Sequence, residues 1–350
     1  PNNMSESIYF GWDIGGANTK ITVLNSNYEI SDFYFKNINI WNSLSIFEKF
    51  IEKISKKYSG SDNYHFITFT AEACDNFETR SHGVTSIINL CDVHLNGEKK
   101  YYSNNNKYVN IKEAAKNPIS MYSTNWILTL NYLNRQNKIN LIIDIGSTTT
   151  DFIYRNMSVS ENINDFKRLS NRTLLYQGAI RTPVPMFANT TKFDEREIPI
   201  INEVYATSGD IFCILNDIKF EKNNHIGSDN LPYTEINSLN RISRLIGKDY
   251  KNEDKEKIQS CAKNLKSKFN KYIVQYISNI EKLLNEELVV TSVGEGRSLI
   301  QEICHNNKIK FIPIEKIDKL IVNNKKKQFD IYSHFTSALV VLNYFGKINE

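Results

Sequence analysis

The sequence predicts an α/β protein made of two related domains around a central cleft, and three observations predict it. Leu141 to Asp151 reads LIIDIGSTTTD, an apolar β-branched run that ends in Asp144, turns over Gly146 and Ser147 and then resumes. Tyr9 to Lys20, YFGWDIGGANTK, repeats Asp-Ile-Gly at Asp13, Ile14 and Gly15, again where one apolar strand meets the next. The 350 residues suffice for two domains of ordinary size, and 41% hydrophobic with 23% charged residues is the balance of a soluble globular chain.

Both repeats have the composition of an anion cradle. Small residues let the backbone turn tightly and present N–H groups and hydroxyls, so phosphate is the expected guest. Gly15, Gly16, Asn18, Thr19 and Lys20 are the expected phosphate contacts in one loop, and Gly146, Ser147, Thr148 and Thr149 in the other. Acidic residues beside such loops would repel phosphate unless a divalent cation and its waters stood between, so Asp13, Asp144 and Asp151 are read as Mg2+ residues. A strand, turn and strand with a solvated aspartate at each end is the plainer reading of either loop alone, and the repetition weighs against it.

In chain order, Ile8 to Trp12, Thr19 to Leu24 and Ile30 to Phe35 read as an antiparallel meander. Leu44, Phe47, Ile51 and Ile54 recur at helical spacing over Leu44 to Tyr58, and His65 to Phe69 is a further, central strand. Thr70 to Arg80, TAEACDNFETR, follows at the carboxyl end of that strand, where α/β proteins usually bind ligands. Glu72, Asp75 and Glu78 would form one acidic stripe if the segment is helical, either a solvated face or a functional cluster with Arg80 beside it. Asn-rich Tyr101 to Asn110 reads as a surface hairpin or loop, and a helix over Ser120 to Arg135 closes a first domain of residues 5–137.

The second domain, residues 138–330, opens with strands over Leu141 to Ile145 and Thr149 to Tyr154. Arg181 precedes Pro183 and Pro185, a stiff setting that suits a bidentate clamp on phosphate as well as a plain structural loop. Glu203 to Asp217 carries a helical stripe with Gly209 in its middle, and helices follow over Tyr233 to Ile246 and Asp254 to Leu283. A buried strand over Glu287 to Val293 then ends in Gly294-Glu295-Gly296, read as part of a substrate pocket. The last apolar helix, residues 335–346, is expected to return to the first domain.

Several function classes are excluded. Five cysteines, odd in number and without a CxxC pair, indicate a reducing, cytoplasmic setting and argue against a disulfide framework or structural zinc. The six histidines are scattered without ligand spacing. A net charge of +4 spread along the chain offers no nucleic-acid face, and there is no apolar run long enough for a membrane. Oligomeric state is left open.

Strand, strand, strand, helix, strand is the opening of a ribonuclease-H-like domain. The paired loops resemble those of the acetate and sugar kinase, Hsp70 and actin superfamily, the actin-like ATPase (ASKHA) fold of two such domains. More narrowly, GWDIGGANTK, TAEACDNFETR, DIGSTTTDFI, YQGAIRTPV and EVYATSGDIFCILNDI together resemble the hydantoinase/oxoprolinase-related family of tetrahydromethanopterin- and methanofuran-linked one-carbon metabolism. The resemblance implies a Mg2+-dependent transferase that condenses an aminomethylfuran-methyl diphosphate with the phenol of a tyramine or tyrosine derivative and releases diphosphate. Asp13 and Asp144 would then serve catalysis, Glu72 or Asp75 would be the base for a phenol whose pKa is near 10, and Lys20, Arg80 and Arg181 would be cations on diphosphate. ATP, the superfamily's usual ligand, would need the glycine pair that Glu295 interrupts. An ATP-dependent small-molecule kinase and a non-catalytic actin- or Hsp70-like nucleotide switch are the alternatives.

Overall fold

The computed structural model describes residues 6–38, 40, 44–70, 77–221, 224–318 and 330–349. It comprises two compact units, one of Pro1–Lys138, Arg155–Asn171 and Glu315–Glu350, the other of Ile139–Tyr154 and Arg172–Ile314.

In the first unit, strands β1 (Ser7–Ile14), β2 (Asn18–Leu24) and β3 (Ile30–Asn37) form the meander, α1 (Leu44–Lys57) follows, and β4 (Asp62–Phe69) pairs in parallel with β1. Helix α1 lies on the sheet because Phe47, Ile51 and Ile54 form one apolar face, which is fully buried. Helix α2 (Arg80–His94) starts at a Thr79 cap whose hydroxyl accepts from the His82 amide. Strands β5 (Glu98–Ser103) and β6 (Lys107–Val109) complete a sheet of order β3-β2-β1-β4-β5-β6, followed by α3 (Ile111–Lys116) and α4 (Asn125–Leu133). The segment read as a surface hairpin is therefore partly core. Tyr101 pairs with Ile67 in the parallel β4–β5 ladder, and Tyr101 and Tyr102 are both fully buried. The expected helix over Ser120 to Arg135 is broken at Ser123, whose φ of 54° is incompatible with a right-handed turn.

The second unit opens with β7 (Leu141–Ile145) and β8 (Thr150–Tyr154). The chain then contributes α5 (Asp165–Ser170) to the first unit, where Arg168 lies over the Trp126 ring at 4.9 Å. It resumes the second with β9 (Leu174–Leu175), a hairpin of β10 (Thr190–Phe193) and β11 (Arg196–Pro199), α6 (Ser208–Ile214), α7 (Glu235–Leu245) and the 30-residue α8 (Lys255–Leu284). Strand β12 (Val289–Val293), α9 (Arg297–Asn306) and β13 (Lys310–Phe311) finish it. Its sheet runs β13-β12-β7-β8-β9. With the strands of each main sheet numbered from its own start, both sheets place the first strand between an antiparallel second and a parallel fourth. This is the ribonuclease-H-like order in both units.

The helix expected over Glu203 to Asp217 shrinks to α6, begun by a capping box between Thr207 and Asp210. Gly209 is thus in its first turn, and packing explains it, because a Cβ there would stand 2.7 Å from the Tyr233 ring. Nearby, Arg241 and Asp210 form a fully buried ion pair at 2.7 Å.

Helix α10 (Phe335–Tyr344) belongs to the first unit and packs on β1 and α4. No helix among the described residues is long and apolar enough to cross a membrane.

Candidate functional site

The two Asp-Ile-Gly repeats fold into the same turn. The Gly15 amide donates to the Asn18 carbonyl at 2.9 Å, and the Gly146 amide donates to the Thr149 carbonyl at 2.9 Å. In the strands that flank each turn, Asp13 stands opposite Lys20 and Asp144 opposite Asp151. The loops thus share length, register and the Asp-Ile-Gly start, but one ends on a cation and the other on a second acid.

Loop carbonyls in both units are turned back into the fold. Those of Gly16 and Ala17 accept from Ile40 and Ile38, that of Gly146 from Ala179, and that of Ser147 from both Ile180 and Arg181. Gly178 is required beside the second loop, since a Cβ there would lie 2.4 Å from the Ser147 carbonyl and the Thr148 nitrogen. Its neighbours are fastened as well: the Thr182 hydroxyl accepts from the Gly178 amide, the Ser208 hydroxyl donates to the Gly178 carbonyl, and the Thr150 hydroxyl donates to the Gln177 carbonyl. Gly294, at φ 92°, brings its backbone so close that a Cβ would meet the Ile145 carbonyl oxygen at 2.4 Å and Asp144 Oδ1 at 2.6 Å.

Asp13 is 4% exposed. Its Oδ2 accepts from the Thr336 hydroxyl at 3.0 Å, while Oδ1 is buried without a hydrogen-bond partner. Burial raises its pKa, and Lys20 and the Thr336 bond oppose that rise. The hydroxyls of Thr19, Thr70 and Thr148 are likewise buried without a hydrogen-bond partner. Buried polar atoms are nearly always satisfied, so these four are open to a water or a ligand, as are others elsewhere in the fold. An all-oxygen donor set of carboxylates and hydroxyls fits Mg2+.

The other candidates are distributed differently. Glu72 and Asp75 lie outside the described residues. Arg80 is the first residue of α2, exposed, with its guanidinium 4.8 Å from the centre of the Tyr122 ring. Arg181 is anchored beside the second loop through its own amide. Glu295, between Gly294 and Gly296, has a side chain only 7% exposed and meets His225 Nε2 at 3.2 Å. His225 Nδ1 accepts from the Glu221 amide, which leaves the Nε2 proton of the neutral ring to donate to Glu295.

Sequence reasoning missed Thr336, Gly178 and His225. Thr336 and His225 join their partners across 323 and 70 residues, a separation that no local pattern marks. It also missed a group in the first unit in which Glu48, Glu52 and His94 bring ligand atoms within 4.8 Å of one another. Both His94 nitrogens there face carboxylates, at 2.9 and 3.1 Å, so the two glutamates already occupy the ring's polar atoms. Of the cysteines, Cys91, Cys213, Cys261 and Cys304 are free.

Comparison with known proteins adds to this geometry. The profile of the hydantoinase/oxoprolinase family matches residues 67–323. The chain is 30% identical over 289 residues to (4-{4-[2-(gamma-L-glutamylamino)ethyl]phenoxymethyl}furan-2-yl)methanamine synthase of Methanocaldococcus jannaschii, covering 81% of this chain and 86% of that one. It is 28% identical over 184 residues to the protein of the same name from Methanococcus vannielii, covering 50% of this chain and 81% of the relative. Among solved structures, nucleotide-free acetone carboxylase aligns with a TM-score of 0.53 at 10% identity, over 85% of this chain and 67% of that chain, a likeness of fold alone.

Proposed function

We propose, from the premise that this chain belongs to the hydantoinase/oxoprolinase family, that it is a transferase of methanofuran biosynthesis that joins a phenol to a furan through a methylene ether. The relatives' name describes such a phenoxymethyl furan carrying a methanamine. In the reaction, the phenolic oxygen of a tyramine or tyrosine derivative bonds to the exocyclic methylene of an aminomethylfuran-methyl diphosphate. The bond from that carbon to diphosphate breaks, diphosphate leaves with the electron pair, and the phenolic proton passes to a base. Glu72 and Asp75 are the residues proposed for that base.

The observation that carries this reading is the duplicated turn with a carboxylate at its start, Asp13 in one unit and Asp144 in the other. The chemistry needs a holder for the leaving group, and loops with inward carbonyls and small residues offer amides and hydroxyls to its oxygens. Asp13, Asp144 and Asp151 would hold Mg2+, which when bound neutralises charge building on the departing oxygen. Lys20 and Arg181 are proposed to face diphosphate and Arg80 to approach it. The buried Glu295–His225 pair occupies the turn where the superfamily seats adenosine, which favours diphosphate over ATP as the phosphate-bearing ligand.

The test is incubation of the purified protein with the furan diphosphate, a phenolic amine and Mg2+, reading ether by mass spectrometry and diphosphate release by a coupled assay. Stoichiometric ether and diphosphate are expected without ATP. Phosphorylation of the amine or furan alcohol from ATP, with no ether, would overturn the reading in favour of a kinase.

A further inference from the structure

Asp13 is held by a residue from the far end of the chain. Three contacts fix the first turn of α10 against β1 and β2. Gly11 gives it room, since a Cβ there would lie 1.7 Å from the Ser337 carbonyl oxygen. The hydroxyls of Thr22 and Ser337 share a hydrogen bond of 2.6 Å. Next to these, the Thr336 hydroxyl donates to Asp13 Oδ2. Tyr132 supports the turn from α4, meeting Phe335 edge-on with ring centres 4.9 Å apart.

We propose that Thr336 is a positioning residue that makes Asp13 a one-oxygen ligand for Mg2+ by occupying Oδ2 and leaving Oδ1 to the metal. This rests on reading Asp13 as a metal residue. A carboxylate with both oxygens open can swing about its terminal torsion or bind through two atoms, whereas Mg2+ demands near-octahedral geometry and usually takes one oxygen per carboxylate with several waters. Occupation of Oδ2 by a buried hydroxyl removes both freedoms. Thr336 is itself only 4% exposed and spends its hydroxyl proton on Asp13. The C-terminal helix therefore completes the first loop, although no motif in it suggests a site.

Three variants separate this role from a merely structural one. Thr336→Val keeps the shape and deletes the hydroxyl, Thr336→Ser keeps the hydroxyl, and Ser337→Ala deletes the neighbouring bond to Thr22 without touching Asp13. Mn2+ binding to the protein alone is read by the loss of the free-ion electron paramagnetic resonance signal, and thermal unfolding is followed in parallel. Thr336→Val is expected to weaken Mn2+ about tenfold, the scale of one hydrogen bond to a charged group, and Thr336→Ser to stay within about twofold of wild type. Ser337→Ala is expected to lower the unfolding temperature while leaving Mn2+ affinity unchanged. Equal Mn2+ affinity in wild type and Thr336→Val, or no Mn2+ binding by wild type, overturns the proposal. So does an equal loss of affinity in Ser337→Ala, which would make the effect one of helix packing. If Mn2+ affinity responds as expected but no ether forms, the positioning role stands and the transferase reading falls.

Discussion

Asp144 and Asp151 face each other across the β7–β8 ladder, at the positions where the first unit pairs Asp13 with Lys20. One loop thus carries its own compensating charge, while the other opposes two acids. Asp151→Asn is expected to gain less stability than wild type on adding Mg2+ and diphosphate, because ligand stabilisation scales with affinity. Asp144→Asn should show the same reduced gain and lose turnover. Thermal unfolding with and without Mg2+-diphosphate checks this, and an identical ligand-induced shift in all three proteins would exclude the acids from the metal site.

Gly178 makes the second prediction. A methyl group placed 2.4 Å from the Ser147–Thr148 peptide cannot be accommodated by a side-chain move, so the loop itself must shift. Gly178→Ala should cost about 1–3 kcal/mol of stability as an overpacked contact, and should weaken diphosphate binding measured by calorimetry. Gly60, with nothing within 4 Å of its would-be Cβ, is the matched control, and Gly60→Ala should leave binding intact.

The third concerns acid stability. His65 is buried between Phe10 and Trp12, accepts from the Trp12 indole N–H at Nδ1 and faces the Asn96 carbonyl through Nε2. It is a neutral ring, and burial pushes its pKa down to about 3. Below its ordinary pKa of 6.5, the unfolded chain takes up a proton that the native ring refuses. The stability this group contributes is therefore complete above that value and is lost as pH falls towards 3, at about 1.4 kcal/mol per pH unit. Asp13, whose pKa is raised, acts in the opposite direction. Comparing wild type with His65→Gln isolates the histidine, and urea titrations between about pH 7 and pH 5 should show a shallower pH dependence in the variant. Parallel curves would show that His65 titrates alike in both states.

The sequence by itself determined the ribonuclease-H-like order of strands and both Asp-Ile-Gly turns, because those follow from local chemistry. Apolar runs make β1, β2, β7 and β8, and Asp-Ile-Gly followed by small polar residues makes the same turn twice. Helix α10 was legible for the same reason, as an apolar run, its start placed correctly and its end two residues too far. Other features depended on tertiary packing. Tyr101 and Tyr102 look like surface polarity in an Asn-rich stretch, and only pairing with β4 buries them. Residues Arg155–Asn171 follow β8 in sequence yet join the first unit, where Ser123 donates to Asp165 and Arg168 covers Trp126. Thr336 reaches Asp13, and His225 reaches Glu295, through contacts that exist only once the sheets have formed. A hydrogen bond depends on where two atoms sit in space, and over 323 residues of chain that distance is settled by the packing of α10 on β1 rather than by any pattern around Thr336.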